Sequence, residues 1–119
     1  MRIELKGRNA QVHDGLREQV EKRCRVISRQ VSDLAVLEIE LTEERNRAIP
    51  DSQVAEATLY LKGITLRARD ASADMTRSIN MVCEELTRQV KRHREKRRKR
   101  RDRGTPVSAE LQGDVSPAT

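Results

Sequence analysis

The chain is almost without aromatic side chains: its 119 residues include one tyrosine, no phenylalanine and no tryptophan. Proteins that bind single-stranded nucleic acid usually stack the bases on aromatic side chains. Tyr60 alone cannot form such a platform. If this protein binds nucleic acid, we therefore expect it to contact mainly phosphates and the shape of a folded structure.

Cysteine is also scarce. Cys24 and Cys83 are far apart in the sequence and in no CxxC motif, so we expect no disulfide framework. Both lie on or near apolar helical stripes, which predicts buried structural thiols. His13 and His93 have no ligand-like spacing to either cysteine, and we expect no metal ion and no other cofactor. No glycine-rich phosphate loop or arrangement typical of a catalytic centre is present, so we predict a binding protein without enzymatic activity or a small-molecule substrate.

Long apolar runs are missing as well. No segment is expected to span a membrane, and the opening residues MRIELKGRN contain no apolar signal region, so we expect a cytoplasmic protein. Hydrophobic residues make up 35% of the chain and charged residues 37%. The apolar residues are periodic, which predicts one small folded domain.

Positive charge is concentrated in one block. Eleven of the sixteen residues in 88–103 are Lys or Arg and two are acidic, so the block carries +9 while the whole chain carries +6. Such a block is either a solvated helix end or a surface for a polyanion such as RNA, DNA or an anionic membrane. Helices that lie on membranes interleave apolar residues with basic ones, and residues 94–103 include no apolar residue. We therefore expect no membrane partner.

Four segments alternate apolar and polar residues, which predicts β-strands with one buried face. They are 2–6, which we expect to end at Gly7, then 34–44, 54–62 and 64–70. The last two are predicted to form a hairpin with a turn at Gly63. Residues 45–53 are predicted to be a loop.

Two segments carry apolar residues at helical spacing. The first predicts a helix within 13–32, with Asp14 as its N-cap. The second predicts a helix that begins after Ser72 or Asp74 and continues beyond its apolar stripe to about Arg101. The stripes are Leu16, Val20, Cys24, Ile27 and Val31 in the first helix, and Met75, Ile79, Val82, Leu86 and Val90 in the second.

The resulting order, β-α-β-β-β-α, predicts an α+β fold of two layers, in which both helices cover one face of a four-stranded sheet. The first crossover should be right-handed and should join parallel strands if these are neighbours. We expect a domain at 1–103 whose last helix overhangs the core. Residues 104–119 are predicted to be a disordered tail or linker.

Side by side, the two helices would present a broad basic face. Such a face without aromatic platforms suits structured RNA, and no helix-turn-helix or zinc finger is visible. The residues that form it are Lys22, Arg25 and Arg29 in the first helix, and Arg88, Lys91, Arg92 and Arg94 in the second.

Three segments resemble the ribosome hibernation promoting factor family, also called ribosome-associated translation inhibitors or ribosomal subunit interface proteins. They are GLREQVEKR (15–23), EATLYLKG (56–63) and DMTRSINMVCEELTRQVKRHREK (74–96). The resemblance covers about residues 1–100. It implies a fold like that of double-stranded-RNA-binding domains and a monomer off the ribosome. It also implies binding to the 30S subunit, alone or in the 70S ribosome, over the A and P sites, which excludes tRNA and mRNA and inhibits translation under stress.

The resemblance also implies which residues contact 16S ribosomal RNA. They are Lys22, Arg23 and Arg29 in the first helix and Arg88, Arg92, Arg94 and Lys96 in the second. The basic run that includes Arg98 and Lys99 extends that surface, and Arg25 and Lys91 join it from the helical pattern. Two positions depart from the family pattern: Thr76, where a Tyr is common, and Glu85, where a basic residue is common. The long forms add a C-terminal domain that pairs ribosomes. The chain is therefore either a short form or part of a long form.

Two other interpretations remain open. A general RNA- or DNA-binding protein would coat phosphates through its basic block alone, whereas ribosome binding should need both helices. A transcription modulator acting through protein contacts should keep its binding at high salt. Neutralising about 6–10 phosphates instead reduces affinity roughly 10³- to 10⁵-fold between 50 and 200 mM salt.

Overall fold

The computed structural model describes residues 1–45 and 50–103, with side chains as far as Arg98. It confirms the predicted order of elements and the α+β class. The predicted tail at 104–119 and the middle of the predicted loop at 45–53 lie outside the described residues. The elements are β1 (Arg2–Arg8), α1 (Asp14–Ser28), β2 (Val36–Glu43), β3 (Gln53–Leu61), β4 (Ile64–Ser72) and α2 (Met75–Arg103).

The four strands form one sheet in the order β1-β2-β3-β4. β1 pairs with β2 in parallel, with Ile3 opposite Leu37, as predicted for neighbouring strands joined by a helix. The pairs β2–β3 and β3–β4 are antiparallel. Gly63 occupies the tight turn between β3 and β4 with a φ of +82°, a conformation that glycine adopts without steric strain.

The prediction that β1 ends at Gly7 is wrong, because the strand continues to Arg8 and Gly7 pairs with Leu41. This position needs glycine for a different reason. A Cβ atom here would collide with the carbonyl oxygen of Ala10 and would lie 2.8 Å from Cγ2 of Val12. The missing side chain therefore lets the chain fold back closely after the strand.

The first helix begins at Asp14, but the prediction that Asp14 is its N-cap is wrong. His13 caps the helix: its backbone is extended, and its Nδ1 accepts a hydrogen bond of 3.3 Å from the backbone N–H of Leu16. Asp14 lies in the first turn, where a carboxylate interacts favourably with the helix dipole. The helix ends at Ser28, so Val31 lies beyond it, although Val31 still packs against the core.

The second helix begins as predicted after Asp74, whose Oδ1 accepts a hydrogen bond of 3.4 Å from the backbone N–H of Thr76. Ser72 is the last residue of β4, and its hydroxyl accepts a hydrogen bond from the backbone N–H of Asp74. Among the side chains of α2 that are described, which extend to Arg98, the last buried residue is Val90, and the helix backbone continues to Arg103.

Both helices pack on one face of the sheet and share a single hydrophobic core with it. The small side chains of Ala55, Ala57 and Ala68 let α2 approach β3 and β4 closely. Glu38, Glu40 and other polar side chains occupy the opposite face. Within residues 1–45 and 50–103, no helix is both long and apolar enough to cross a membrane. The core is centred on Val20, Cys24, Ile27, Leu37, Ile39, Leu41, Leu59, Ile79, Val82, Leu86 and Val90, each at most 1% exposed.

Candidate nucleic-acid interface

The helices α1 and α2 lie side by side and run in the same direction. Three contacts show this, because each step along α1 is matched by a step along α2. They are Gln19 with Asn80 at 2.9 Å, Cys24 with Cys83 at 3.5 Å, and Gln30, just after α1, with Arg94 at 3.3 Å. The C-terminal ends of both helices therefore lie at the same end of the molecule.

Charge changes sign along both helices. In α1, residues 14–21 include three acidic residues and one basic residue, whereas 22–29 include four basic residues and no acidic one. In α2, residues 75–87 include two acidic residues and one basic residue, whereas 88–98 include seven basic residues and one acidic one. Because the helices are parallel, the two basic halves are neighbours. They also complement the partial negative charge at the helix C-termini.

An open groove separates the outer sides of the two helices. Lys22 and Arg23 line it from α1, and Arg88 and Thr87 line it from α2. The structure thus brings three of the predicted contact residues, Lys22, Arg23 and Arg88, to one surface. Cys83 also lines the groove, and it is only 3% exposed.

Arg88 is held by an acidic neighbour on its own helix. Its Nη2 and Nε donate hydrogen bonds of 2.8 and 3.2 Å to Oε1 of Glu85, and Gln89 donates one of 3.1 Å to Oε2. The hydrogen bond from Arg88, followed by that from Gln89, holds the pKa of Glu85 below its usual range. An exposed pair of this kind contributes little to stability, so a phosphate can displace Glu85 at little cost.

More predicted residues gather where the two helices end. Arg94 donates a hydrogen bond of 3.3 Å from Nη1 to Oε1 of Gln30. Lys91 precedes Arg94 by three residues and Arg98 follows it by four, so helical spacing places all three on the side of α2 that faces α1. Arg25 and Arg29, on the last turn and C-cap of α1, are also exposed. The exposed cations at this end of the molecule, which we call the end cluster, are Arg25, Arg29, Lys91, Arg94 and Arg98.

Arg92 and Lys96 do not join the groove or the end cluster. Gln89, three residues before Arg92, donates a hydrogen bond of 2.8 Å to the carbonyl oxygen of Arg67 in β4. Arg92 also contributes to the lowered pKa of Glu85. Arg92 and Lys96 follow Arg88 at steps of four residues, next to the flank of α2 on which Gln89 contacts β4, and neither lines the groove. The backbone of Lys99 belongs to α2, and its side chain is outside the described part.

Sequence reasoning missed the neutral residues of the groove. Gln19 crosses it, because its Nε2 donates hydrogen bonds of 2.9 Å to Oδ1 of Asn80 and to the carbonyl oxygen of Thr76. Val26, 46% exposed, adds an apolar patch. Helical spacing places Gln19 and Val26 beside the buried stripe of α1, but that signal does not show what they face.

The predicted burial of both cysteines is confirmed. Cys24 and Cys83 are free thiols in the interface between the helices. In the part of the chain that the structure describes, no group of three or more His, Cys, Asp or Glu side chains is arranged to hold a metal ion.

Comparisons with known proteins point to one family. Residues 3–98 match the family described as "Sigma 54 modulation protein / S30EA ribosomal protein". A relative from Staphylococcus aureus, named ribosome hibernation promotion factor, is 31% identical over 107 residues, which cover 87% of this chain and 54% of the relative. A protein of the same name from Picosynechococcus is 27% identical over 97 residues, covering 81% and 50%. The chain thus spans about half the length of these two relatives.

A third relative is similar in length. The ribosome hibernation promoting factor of Azotobacter vinelandii is 27% identical over 109 residues, which cover 92% of this chain and 97% of the relative. Among solved structures, the N-terminal domain of Thermus thermophilus Protein Y has a TM-score of 0.67 and 28% identity, covering 78% of this chain and 99% of that one. A ribosomal subunit interface protein from Coxiella burnetii, at 19% identity and a TM-score of 0.65, shares the fold. With most of its length matched, the chain belongs to the sigma 54 modulation protein / S30EA ribosomal protein family.

Proposed function

We propose that this protein is a ribosome hibernation factor that binds the small ribosomal subunit and inhibits translation under stress. The observation that carries the proposal is the parallel alignment of α1 and α2, which sets their basic C-terminal halves side by side. The names of the relatives from Staphylococcus, Picosynechococcus and Azotobacter support it. Because ribosomes lie in the cytoplasm, the proposal implies a cytoplasmic protein.

The binding surface would act through phosphates and shape. Folded RNA presents phosphates on both sides of a groove, and guanidinium groups bind phosphate with paired hydrogen bonds. In this proposal Lys22, Arg23 and Arg88 contact one stretch of 16S ribosomal RNA, and the end cluster contacts the next. The lone tyrosine, Tyr60, lies on the sheet, away from this surface, so base stacking on aromatic rings has no role.

Binding would inhibit translation by occupying space. A basic protein held in the decoding channel, over the A and P sites, would exclude tRNA and mRNA from the same ribosomal RNA. We propose that it binds both the free 30S subunit and the 70S ribosome, and that it is a monomer in solution. Arg92 and Lys96, which lie outside the groove, would then contact RNA on the outer side of α2, and we propose that Lys99 also contacts this RNA.

The test is sedimentation with salt-washed 30S and 50S subunits at physiological salt. The variant Lys22→Glu, Arg29→Glu reverses two charges on α1 and keeps the basic block of α2. The matched control, Lys62→Glu, Arg69→Glu, makes the same charge change at two exposed positions of the sheet and its turn. We expect saturable binding of the wild type to 30S near one per subunit, a loss of that binding in the α1 variant, and near-normal binding of the control.

A second function, a general coat for RNA phosphates, is favoured by one observation. Residues 91–98 of α2 include six basic residues and one acidic one, and none of their side chains is buried. A phosphate coat would bind both subunits without saturation, and the α1 variant and the sheet control would weaken it equally. That outcome would overturn the hibernation proposal. Competition with tRNA separates the two functions further. tRNA bound to the 30S subunit should reduce binding of a hibernation factor, and it should have little effect on a general phosphate coat.

A further inference from the structure

The chain has two cysteines, and the fold brings them together. Their Sγ atoms are 3.5 Å apart, although the residues are separated by 59 positions in the sequence. Cys24 lies on the face of α1 that packs against α2, and Cys83 lies opposite on α2. A disulfide requires sulfurs about 2.05 Å apart, so the side chains would have to rotate and the two helices would have to approach each other for the bond to form.

The two thiols are not equivalent. Cys24 is fully buried, whereas Cys83 forms part of the groove between the helices. The hydrogen bond from Cys24 and the nearby guanidinium of Arg23 lower the pKa of Cys83, against the opposing effect of burial. The same hydrogen bond, together with burial, raises the pKa of Cys24. Since the thiolate is the reactive form, Cys83 is the nucleophile and Cys24 keeps its proton.

We propose that Cys24 and Cys83 are a peroxide-reactive pair that forms a disulfide between α1 and α2. Cys83 attacks hydrogen peroxide: a sulfur–oxygen bond forms, the oxygen–oxygen bond breaks, and hydroxide leaves as water with the proton from Cys83. Cys24 then attacks the sulfenic acid of Cys83. The sulfur–sulfur bond forms and the sulfur–oxygen bond breaks. The departing hydroxide takes the proton from Cys24, so two thiols and one peroxide become one disulfide and two waters.

The surroundings of the pair support this sequence of steps. The groove gives a small oxidant a path to Cys83, and the burial of Cys24 keeps it from reacting first. The sulfur of Cys24 is already in contact with that of Cys83, so Cys24 can react with the sulfenic acid before a second peroxide oxidises it further. The cross-link would fix the spacing of the helices directly beneath Arg23 and Arg88. The reaction depends only on the thiols and does not rest on ribosome binding.

The test treats the reduced 119-residue chain with hydrogen peroxide in native buffer, then unfolds it and alkylates the free thiols. The expected result is the loss of both alkylatable thiols, a mass decrease of two hydrogens, and a monomer on a non-reducing gel. Digestion should give one peptide that links the segments around Cys24 and Cys83. A dithiol reductant should restore both thiols, and the oxidised protein should unfold at a higher urea concentration than the reduced one.

Single replacements test the order of the steps. In Cys24→Ser, sulfenic acid should accumulate at Cys83 and react with a cyclic 1,3-diketone probe, whereas Cys83→Ser should stay unlabelled while folded. Labelling of Cys24 in folded Cys83→Ser would overturn the assigned roles. Disulfide-linked dimers, or native wild type that keeps both thiols under peroxide, would overturn the pair itself. Circular dichroism checks that the variants fold, and the wild-type experiment decides the proposal even if they do not.

Discussion

Gln19 of α1 donates a hydrogen bond of 2.9 Å from its side-chain amide to Oδ1 of Asn80 in α2. The same amide nitrogen also donates to the carbonyl oxygen of Thr76, in the first turn of α2. The pair therefore joins the N-terminal parts of the two helices. It adds two polar contacts to the alignment of the helices on which the basic surface depends.

Replacement of Gln19 by Ala should lower the free energy of unfolding by about 1–2 kcal/mol, because two hydrogen bonds between the helices are lost. Urea denaturation followed by circular dichroism would measure this change. Gln11→Ala, at an exposed position outside both helices, is the matched control and should change stability by about 0.5 kcal/mol or less. Equal effects of the two changes would show that the bond between the helices adds no stability.

Ser78→Ala should destabilise the protein by about 1–3 kcal/mol. The hydroxyl of Ser78 is fully buried, donates a hydrogen bond of 2.6 Å to the carbonyl oxygen of Gln53, and lies 2.7 Å from the hydroxyl of Ser72. Its loss would remove the buried hydrogen bond to the carbonyl oxygen of Gln53 and one of the contacts of the Ser72 hydroxyl. Ser28→Ala removes a hydroxyl that bonds only within the end of α1, so thermal unfolding should show a much smaller effect. A similar fall in both variants would contradict this account.

Glu85→Gln should raise the affinity for ribosomal RNA by about two- to fivefold, because it frees the guanidinium of Arg88 from an exposed ion pair. Binding of a labelled RNA fragment at fixed salt would measure the gain. Glu21→Gln makes the same change in net charge on an exposed position of α1 and should have less effect. In an Arg88→Gln background the gain should disappear. Persistence of the gain there would mean that net charge alone explains it.

Titration of Tyr60 should show a pKa above the ordinary value of about 10. Its hydroxyl donates a hydrogen bond of 3.1 Å to Oε1 of Glu38, which favours the neutral phenol and raises its pKa. Because this is the lone tyrosine and there is no tryptophan, absorbance at alkaline pH reports it directly. Glu38→Gln should move the pKa back towards the ordinary value. Glu40→Gln, two residues along β2, should leave it in place.

The same shift fixes the direction of the effect on stability. A pKa that is raised in the folded state contributes stability that is fully present below the unfolded pKa of about 10 and is lost as pH rises through the folded pKa. The wild type should therefore lose slightly more stability than Glu38→Gln above pH 10. Urea midpoints measured on both sides of that pH would show the difference, and parallel curves would contradict it.

The sequence was sufficient for the elements whose pattern is dense. The alternation of Leu37, Ile39 and Leu41 predicts a strand with one buried face, and the apolar stripe of α2 predicts a helix. Element ends were harder, because His13 and Asp14 both have side chains that can cap a helix. The strand pattern does not predict the role of Gly7. Glycine is needed there because Ala10 approaches closely, and Ala10 lies outside the strand.

The site divides in the same way. Helical spacing was enough to predict exposed cations at Lys22 and Arg29, and applied more strictly it would have separated Arg92 from Arg94, which lie on different flanks of α2. Helical spacing does not predict which residues of one helix contact which residues of the other. Gln19 with Asn80, and Cys24 with Cys83, depend on how far one helix is shifted along the other, and packing against the sheet decides that shift.

The extension of α2 beyond its last buried residue makes the charge distribution of the molecule asymmetric. The helix has 29 residues, which at about 1.5 Å each gives a rod of roughly 43 Å, and its cations gather towards one tip. Such a protein has a large permanent dipole moment. In the field of a polyanion it would rotate while still in solution, so that the tip arrives first and many unproductive collisions are avoided. Added salt would remove this advance orientation over distances beyond the Debye length, about 8 Å at physiological ionic strength, and slow association before it weakens the bound state.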